Sequence, residues 1–468
     1  MNWLSIVGIK MTLLFGTSGI RGLIDKKLTP EFCVKIGLAA ASFYSPESTL
    51  IVGYDHRPQA RVVSTALISG LLAGGANVID VGVIPTPAAL YAIKELDTDG
   101  AIVVTGSHTI PEIIGILFFK DDTSELSKEE ETKFEEIFFN EKYKREPWNR
   151  VGKLEYLDIL DIYMESVLSL IDTSKVEGRK IVIDSGNSCA SGILKEIFTT
   201  AGVKTIAIND YPDPLFPGRG PFPRTDNLQE LGEITRTWEA DIGVGVDGDG
   251  DRALFCDERG TVYWGDVSGA IFAAYAVKRG IRNIVVTINT SHIVSYAVRK
   301  MGGNVIFSRV GPPAIAETMK KHNAGFGIEE SGKYLWADAI YYGDAALAGL
   351  RMLEILDISG KTFSQLASEF PKYYMEKVAI KCGDELKKKV LEKSSEILKN
   401  KMKEDITDII TIDGVKVILS DDSWILLRPS GTEPVFRVFA ESNDKKRVHE
   451  LIKLGEEVVK KAISMLSN

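Results

Sequence analysis

Ala240-Asp241-Ile242-Gly243-Val244-Gly245-Val246-Asp247-Gly248-Asp249-Gly250-Asp251-Arg252 runs from small and apolar residues into three carboxylates at alternate positions. Ala240 to Val246 reads as a buried strand. In an extended segment, residues two apart share a face, so Asp247, Asp249 and Asp251 can all face one ion. Carboxylates this close repel one another and call for a hard cation, and an all-oxygen donor set favours magnesium or calcium over zinc. A ligand cluster at the carboxyl end of a buried strand is how open α/β sheets build their sites.

Two other readings compete. A calcium loop of the EF-hand type would use Glu258 as its twelfth residue, but its sixth position needs glycine and here holds Arg252. Its flanks also read as strands instead of helices. An acidic surface turn is the plainer alternative, and the buried strand leading in and the arginine leading out argue against it.

The 468 residues are too many for one hydrophobic core and predict three or four domains. A hydrophobic share of 44% with 26% charged residues is that of a soluble protein, and the net charge of -9 speaks against nucleic acid as a partner. Cys33, Cys189, Cys256 and Cys382 are too scattered for a zinc site or a disulfide framework, which suggests a reducing cytoplasm. No apolar run is long enough to cross a bilayer, so no membrane association is expected. Met1 to Lys10 lacks the marks of a signal peptide and reads as an upstream extension before Met11.

Strand and helix signals alternate through three blocks. The first has strands at Leu50 to Tyr54, Asn77 to Val81 and Ala101 to Thr105, and helices at Ala60 to Leu72 and Pro87 to Glu95. Such units predict a mainly parallel, helix-covered sheet. A polar helix at Lys128 to Phe139 and a linker follow. The second block has strands at Lys180 to Asp184 and Thr205 to Ile208, a Pro/Gly-rich loop from Tyr211 to Pro223, and the aspartate strand. Leu254 to Asp257 and Thr261 to Trp264 look like a hairpin turning at Glu258-Arg259-Gly260. The third block has strands at Asn283 to Ile288, Asn304 to Phe307 and Phe326 to Ile328. After Pro371 a lysine-rich helix, three strands and an amphipathic closing helix predict a small α+β domain.

Four further segments carry chemistry. Ser107-His108 ends a strand and offers a candidate nucleophile beside a histidine, with a structural loop role as the alternative. Gly16-Thr17-Ser18-Gly19-Ile20-Arg21-Gly22 lets backbone N–H groups approach an anion, with charge from Arg21, or equally forms a glycine turn. Arg428-Pro429-Ser430-Gly431-Thr432-Glu433-Pro434 suits a phosphate dianion, with a plain turn as the alternative, and without a Walker lysine it is no nucleotide loop. Glu329-Glu330-Ser331-Gly332-Lys333 suits vicinal sugar hydroxyls, or equally a helix cap.

Taken in chain order, the five segments resemble the α-D-phosphohexomutase family, which includes phosphoglucomutase, phosphomannomutase and phosphoglucosamine mutase. The resemblance spans the chain from about Leu13 to its end. It implies three similar mixed-sheet α/β domains and a C-terminal α+β domain around a central cleft. The division is 1–152 with the phosphoserine loop, 153–257 with the metal loop, 258–370 with the sugar loop and 371–468 with the phosphate loop. It also implies that Ser107 carries a phosphoryl group and, with Asp247, Asp249 and Asp251, holds Mg2+. His108, Arg21 and Arg252 would assist at the serine. Glu329, Ser331 and Lys333 would bind the sugar, and Arg428, Ser430, Gly431 and Thr432 the phosphate that does not react. Substrates would be small-molecule sugar phosphates, a hexose 1,6-bisphosphate would be intermediate and primer, and the enzyme would be a monomer or homodimer.

The chain departs from the pattern at two places. The family's serine loop continues from histidine into asparagine-proline and later a lysine. Here Thr109-Ile110-Pro111 follows, and Leu117 stands at the lysine position. Lys120, three residues along a strand, points to the opposite face. Lys333 replaces the histidine that usually ends the sugar loop. A non-catalytic sugar-phosphate-binding relative is therefore an alternative to the mutase. A magnesium-dependent sugar phosphatase also fits the aspartates but leaves the C-terminal loop unexplained.

Overall fold

The computed structural model describes residues 14–431 and 434–466, so the suggested extension and Thr432 lie outside the described residues. The first unit contains β1 (Ile20–Leu23), α1 (Pro30–Tyr44), β2 (Thr49–Tyr54), α2 (Pro58–Ala73), β3 (Asn77–Val83), α3 (Thr86–Glu95), β4 (Gly100–Val104), β5 (Ile113–Lys120), α4 (Lys128–Phe139) and β6 (Leu154–Tyr156). Its sheet order is β1-β5-β4-β2-β3-β6. β2 is parallel to β3 and β4, and β3 to β6, whereas β5 runs antiparallel to β4 and β1 antiparallel to β5. The sheet is thus mixed, with its antiparallel strands at the edge that bears the serine. α2 begins on Pro58 in its first turn, where the missing N–H costs nothing. Ser127 caps α4 in a reciprocal capping box with Glu130.

The second unit adds α5 (Leu160–Ser169), β7 (Lys180–Asp184), α6 (Ile193–Thr200), β8 (Lys204–Ile208), α7 (Gln229–Thr237), β9 (Ile242–Val246) and β10 (Ala253–Cys256), in the sheet order β10-β9-β7-β8. The third adds α8 (Gly265–Lys278), β11 (Asn283–Thr287), α9 (His292–Lys300), β12 (Asn304–Ser308), α10 (Pro312–Lys321), β13 (Phe326–Glu329), β14 (Lys333–Trp336), α11 (Ala345–Ser359) and α12 (Phe363–Ala367), in the order β12-β11-β13-β14. In both, a parallel core ends in one antiparallel strand: β10 against β9, β14 against β13.

The hairpin expected at Glu258-Arg259-Gly260 forms, and its first arm pairs on both sides. Leu254 to Cys256 pairs back onto β9, with Ala253 opposite Val246. The turn at Gly260 forms, with φ 81°, and the hairpin closes around the bridge Cys256–Val262: Asp257 N–H donates to the Thr261 carbonyl at 3.0 Å and Tyr263 N–H to the Phe255 carbonyl at 2.9 Å, before Trp264 caps α8. The pairing onto β9 follows from the Asp loop, which returns the chain directly beside β9, so the strand fills the nearest open edge.

The last unit holds β15 (Tyr374–Lys381), α13 (Lys387–Lys401), β16 (Ile406–Ile410), β17 (Val415–Leu419), β18 (Trp424–Pro429), β19 (Val435–Ser442) and α14 (Lys445–Leu466). Its sheet is antiparallel throughout, in the order β15-β19-β18-β17-β16. One apolar cluster runs through the first three units and includes Leu117, Phe119, Val244 and Phe326. The last unit has its own core and meets the third through Ile288, Trp424, Leu426 and Phe439. Among the described residues no helix is long and apolar enough to cross a membrane.

Candidate active site

Four of the five chemical segments occupy the same structural place, and the fifth, Gly16 to Gly22, leads into β1. The serine loop joins β4 to β5, the Asp loop β9 to β10, the sugar loop β13 to β14 and the phosphate loop β18 to β19. In the first three, the loop leaves the carboxyl end of a parallel strand and returns antiparallel.

Asp247, Asp249 and Asp251 are all buried, and one carboxylate oxygen from each lies within 4.8 Å of the others. Gly250 takes φ 74°, a left-handed turn that a side chain would strain, and it lets the chain double back so that the three face inward together. Asp247 Oδ1 accepts the backbone N–H groups of Asp251 and Arg252, both at 3.1 Å. Asp249 Oδ2 accepts the Thr86 hydroxyl at 2.7 Å. Asp249 Oδ1 and Asp251 Oδ1 have no hydrogen-bond partner although buried. Two unpartnered buried carboxylate oxygens within an all-oxygen cluster fit a hard divalent cation.

The serine loop packs directly on the Asp loop. A Cβ at Gly248 would collide with the Ser107 carbonyl, so glycine there permits the approach. Ser107 Oγ donates to Asp247 Oδ2 at 3.1 Å and lies 3.2 Å from His108 Nδ1. Ser107 itself has φ 49°, a costly conformation for a residue with a Cβ. Its surroundings hold it there. Ser107 N–H donates to Thr105 Oγ1 at 2.8 Å, and Gly106 N–H to Asp55 Oδ2 at 2.9 Å. Arg57, paired with Asp55, donates to the carbonyls of Ser107 and Thr109 at 3.0 and 2.8 Å. Arg21 Nη1 donates to the Gly106 carbonyl at 3.0 Å. Asp55, Arg57 and Thr86 escaped the sequence reading. Asp55-His56-Arg57 directly after β2 was the available signal, since charge at the carboxyl end of a buried strand marks a site. Nothing local marks Thr86.

In the sugar loop, Glu329 Oε2 and Ser331 Oγ are buried with no hydrogen-bond partner. Both are therefore open to ligand hydroxyls. Glu330 instead accepts the Trp264 indole N–H. Lys333 is buried and reaches Asp251 Oδ2 at 2.6 Å and the Tyr342 hydroxyl at 3.0 Å. In the phosphate loop, Asp413 Oδ2 orients Arg428 through Nε at 2.9 Å. Ser430 is buried and Lys387 Nζ donates to its carbonyl. Thr17, in the glycine segment, lies beside both Gly311 and Gly431, so the first, third and last units converge there.

Charge dominates the site. Burial, then the neighbouring carboxylates, pushes Asp247 well above the usual carboxylate range, and Asp249 upward as well. Burial would raise Asp251 too, but Lys333 and Arg252 outweigh it and hold it below the ordinary value. Burial first, then Arg252, Arg21, Lys333 and Arg57, pushes the His108 imidazole well below its ordinary value. Burial and these cations thus favour the neutral imidazole over its charged form.

Comparison with known proteins agrees with this geometry. Family models for phosphoglucomutase/phosphomannomutase match in chain order: α/β/α domain I at residues 12–145, domain II at 161–260, domain III at 264–374 and the C-terminal domain at 378–454. A phosphoglucomutase/phosphomannomutase of Thermococcus kodakarensis is 37% identical over 97% of this chain and 100% of its own. A phosphoglucosamine/phosphogalactosamine mutase of Sulfurisphaera tokodaii is 35% identical over 96% and 99%. The crystal structure of a phosphoglucomutase/phosphomannomutase family protein from Burkholderia thailandensis superposes with a TM-score of 0.85 at 25% identity, covering 96% of this chain and 97% of that one. With all four domain models matched and its relatives aligned over nearly their full length, the chain belongs to the α-D-phosphohexomutases, isomerases that move phosphate within a sugar.

Proposed function

We propose that the chain interconverts hexose 1-phosphates and hexose 6-phosphates through a phosphorylated Ser107, with a hexose 1,6-bisphosphate as intermediate and primer. The observation that carries this reading is the 3.1 Å contact between Ser107 Oγ and Asp247, where the serine and Asp loops pack together. Magnesium is the cation that Asp247, Asp249 and Asp251 would hold together with the Ser107 phosphoryl, and when bound it supplies positive charge at the phosphoryl oxygens.

The chain's own residues do the rest. Phosphoryl transfer depends mainly on positioning and on stabilising spread negative charge. Arg21 and Arg252 face the serine end, and His108 accepts or returns the proton at Ser107 Oγ. Glu329 and Ser331 hold sugar hydroxyls that gluco- and manno- configurations share. Arg428, Ser430, Gly431 and Thr432 hold the phosphate that is not reacting, and the bisphosphate turns over between the two half-reactions. The hydroxyls held by Glu329 and Ser331 are common to gluco- and manno- configurations, so the substrate is a glucose, mannose or glucosamine phosphate, or more than one of these. The four buried free thiols suit a cytoplasmic enzyme, monomeric or homodimeric.

The test is conversion of glucose 1-phosphate, mannose 1-phosphate and glucosamine 1-phosphate to their 6-phosphates with magnesium and a bisphosphate primer. Intact mass should show one phosphoryl group on the wild type and none on Ser107→Ala. Release of inorganic phosphate in place of isomer, or tight binding without turnover of any sugar, would refute the mutase.

A further inference from the structure

Lys333 opens β14 just after the sugar loop, where its amine would be expected among sugar hydroxyls. It goes elsewhere. Nζ sits 2.6 Å from Asp251 Oδ2 and 3.0 Å from the Tyr342 hydroxyl, and 4.3 Å from the centre of the Tyr342 ring. That ring packs on Phe119 of β5 at 5.1 Å, and Phe119 shares its face with Leu117 two residues earlier. The amine is thus delivered from the third unit to the metal loop, beside the first unit's β5. Leu117 on β5 is fully buried and uncharged, and Lys120 faces away, paired with Glu130 at 3.1 Å.

We infer that Lys333 is a charge-positioning residue of the phosphotransfer end of the site, not a ligand for the sugar, and supplies there the cation that β5 lacks. The inference rests on the mutase reading above. Three carboxylates and a phosphoryl group of charge about -2 crowd one buried point. A divalent ion with Arg21 and Arg252 falls one charge short of neutralising them, and Lys333 supplies that charge. Arg252 lies 3.7 Å from Asp247, and Lys333 takes Asp251, so each cation serves a different carboxylate. To reach a sugar, Lys333 would have to leave Asp251, and a buried pair broken in this way is strongly destabilised. Tyr342 fixes the choice: its hydroxyl orients the amine, and Gly343, the next residue, packs directly against the Asp251 carbonyl.

The test compares wild type, Lys333→Met and Lys333→Arg. Each is assayed for hexose-phosphate kinetics and, separately, for Mn2+ binding by electron paramagnetic resonance. In Lys333→Met, kcat should fall at least ~100-fold with KM within about threefold, because an interaction made in the transition state is lost. The same variant should bind Mn2+ about fivefold or more tightly, because a repelling charge has left Asp251. Lys333→Arg, which keeps the charge, should recover at least a tenth of wild-type kcat and bind Mn2+ within about twofold of wild type. A KM raised tenfold with kcat retained, or Mn2+ affinity unchanged in Lys333→Met, overturns the inference. If Lys333→Met fails to fold, Lys333→Arg decides: recovery as stated supports the inference, and raised KM with normal kcat refutes it. Absence of turnover in the wild type would refute the mutase reading instead, and the Mn2+ measurement would still judge Lys333.

Discussion

Arg57 and Ser107 are joined through the main chain: the guanidinium Nη2 donates to the Ser107 carbonyl at 3.0 Å, from a side chain that Asp55 neutralises within the protein interior. This contact helps hold the serine at φ 49°. Arg57→Ala should cost ~3–5 kcal/mol in urea unfolding, because Asp55 is left buried and unpaired. Arg57→Lys keeps the charge but loses the fork that spans the carbonyls of Ser107 and Thr109. Its kcat should fall about tenfold or more with KM little changed, since the reacting oxygen is misplaced while the sugar site is intact.

Magnesium should stabilise the protein measurably. At one hundred times its dissociation constant the gain is about 2.7 kcal/mol, seen as a higher melting temperature that a chelator reverses. Asp249→Asn removes charge from the cluster while its Thr86 partner remains, so the magnesium-induced rise should shrink or vanish. An undiminished rise would show that the ion binds elsewhere.

Glu125 should make stability pH-dependent. Burial pushes its carboxyl up to about 7, against the pull of Lys333, Ser18 and Arg21. The folded state therefore holds this proton more tightly than the unfolded chain. The resulting stability is fully present below the ordinary carboxylate value of 4.5 and is lost as pH rises to about 7. Glu125→Gln should abolish this loss and exceed wild type by on the order of 3 kcal/mol at pH 8. Denaturant midpoints of both proteins across pH 4 to 8 would check it, and parallel curves would refute it.

The phosphate loop should act on either substrate alike. Asp413 ties Arg428 to Val310 N–H, linking the last unit to the third. If this clamp holds whichever phosphate is not reacting, as proposed, Arg428→Lys should raise KM for the 1-phosphate and the 6-phosphate by the same factor, ~10–100-fold. Unequal factors in initial-rate assays of the two directions would argue against a shared clamp.

The segments themselves were legible because their chemistry is local. Alternating aspartates after a buried strand, and Arg428-Pro429-Ser430-Gly431, announce charge and turn geometry within a few residues. The parallel cores were legible for the same reason, from strands bounded by helix signals. The hairpin at Gly260 was legible from its turn residues, but the second pairing of Leu254 to Cys256, onto β9, was not, because it depends on how tightly the Asp loop doubles back. Asp55 and Arg57 stood in plain sight, but their task is to grip a carbonyl some fifty residues away. The leftward turn at Ser107 had no signal, since it is imposed by those partners and not by its own side chain.

By itself the sequence determined the family, the order of the four loops, the buried carboxylate triad and the absence of a lysine at position 117. Tertiary structure alone decided which charge meets which. Lys333 lies next to the sugar loop in sequence yet pairs with Asp251, 82 residues earlier, and Ser107 meets Asp247 across two separate sheets. Sequence spacing controls what shares a face within one strand. The packing of one strand end against another controls where a buried cation finds its counter-charge, and burial makes that pairing obligatory.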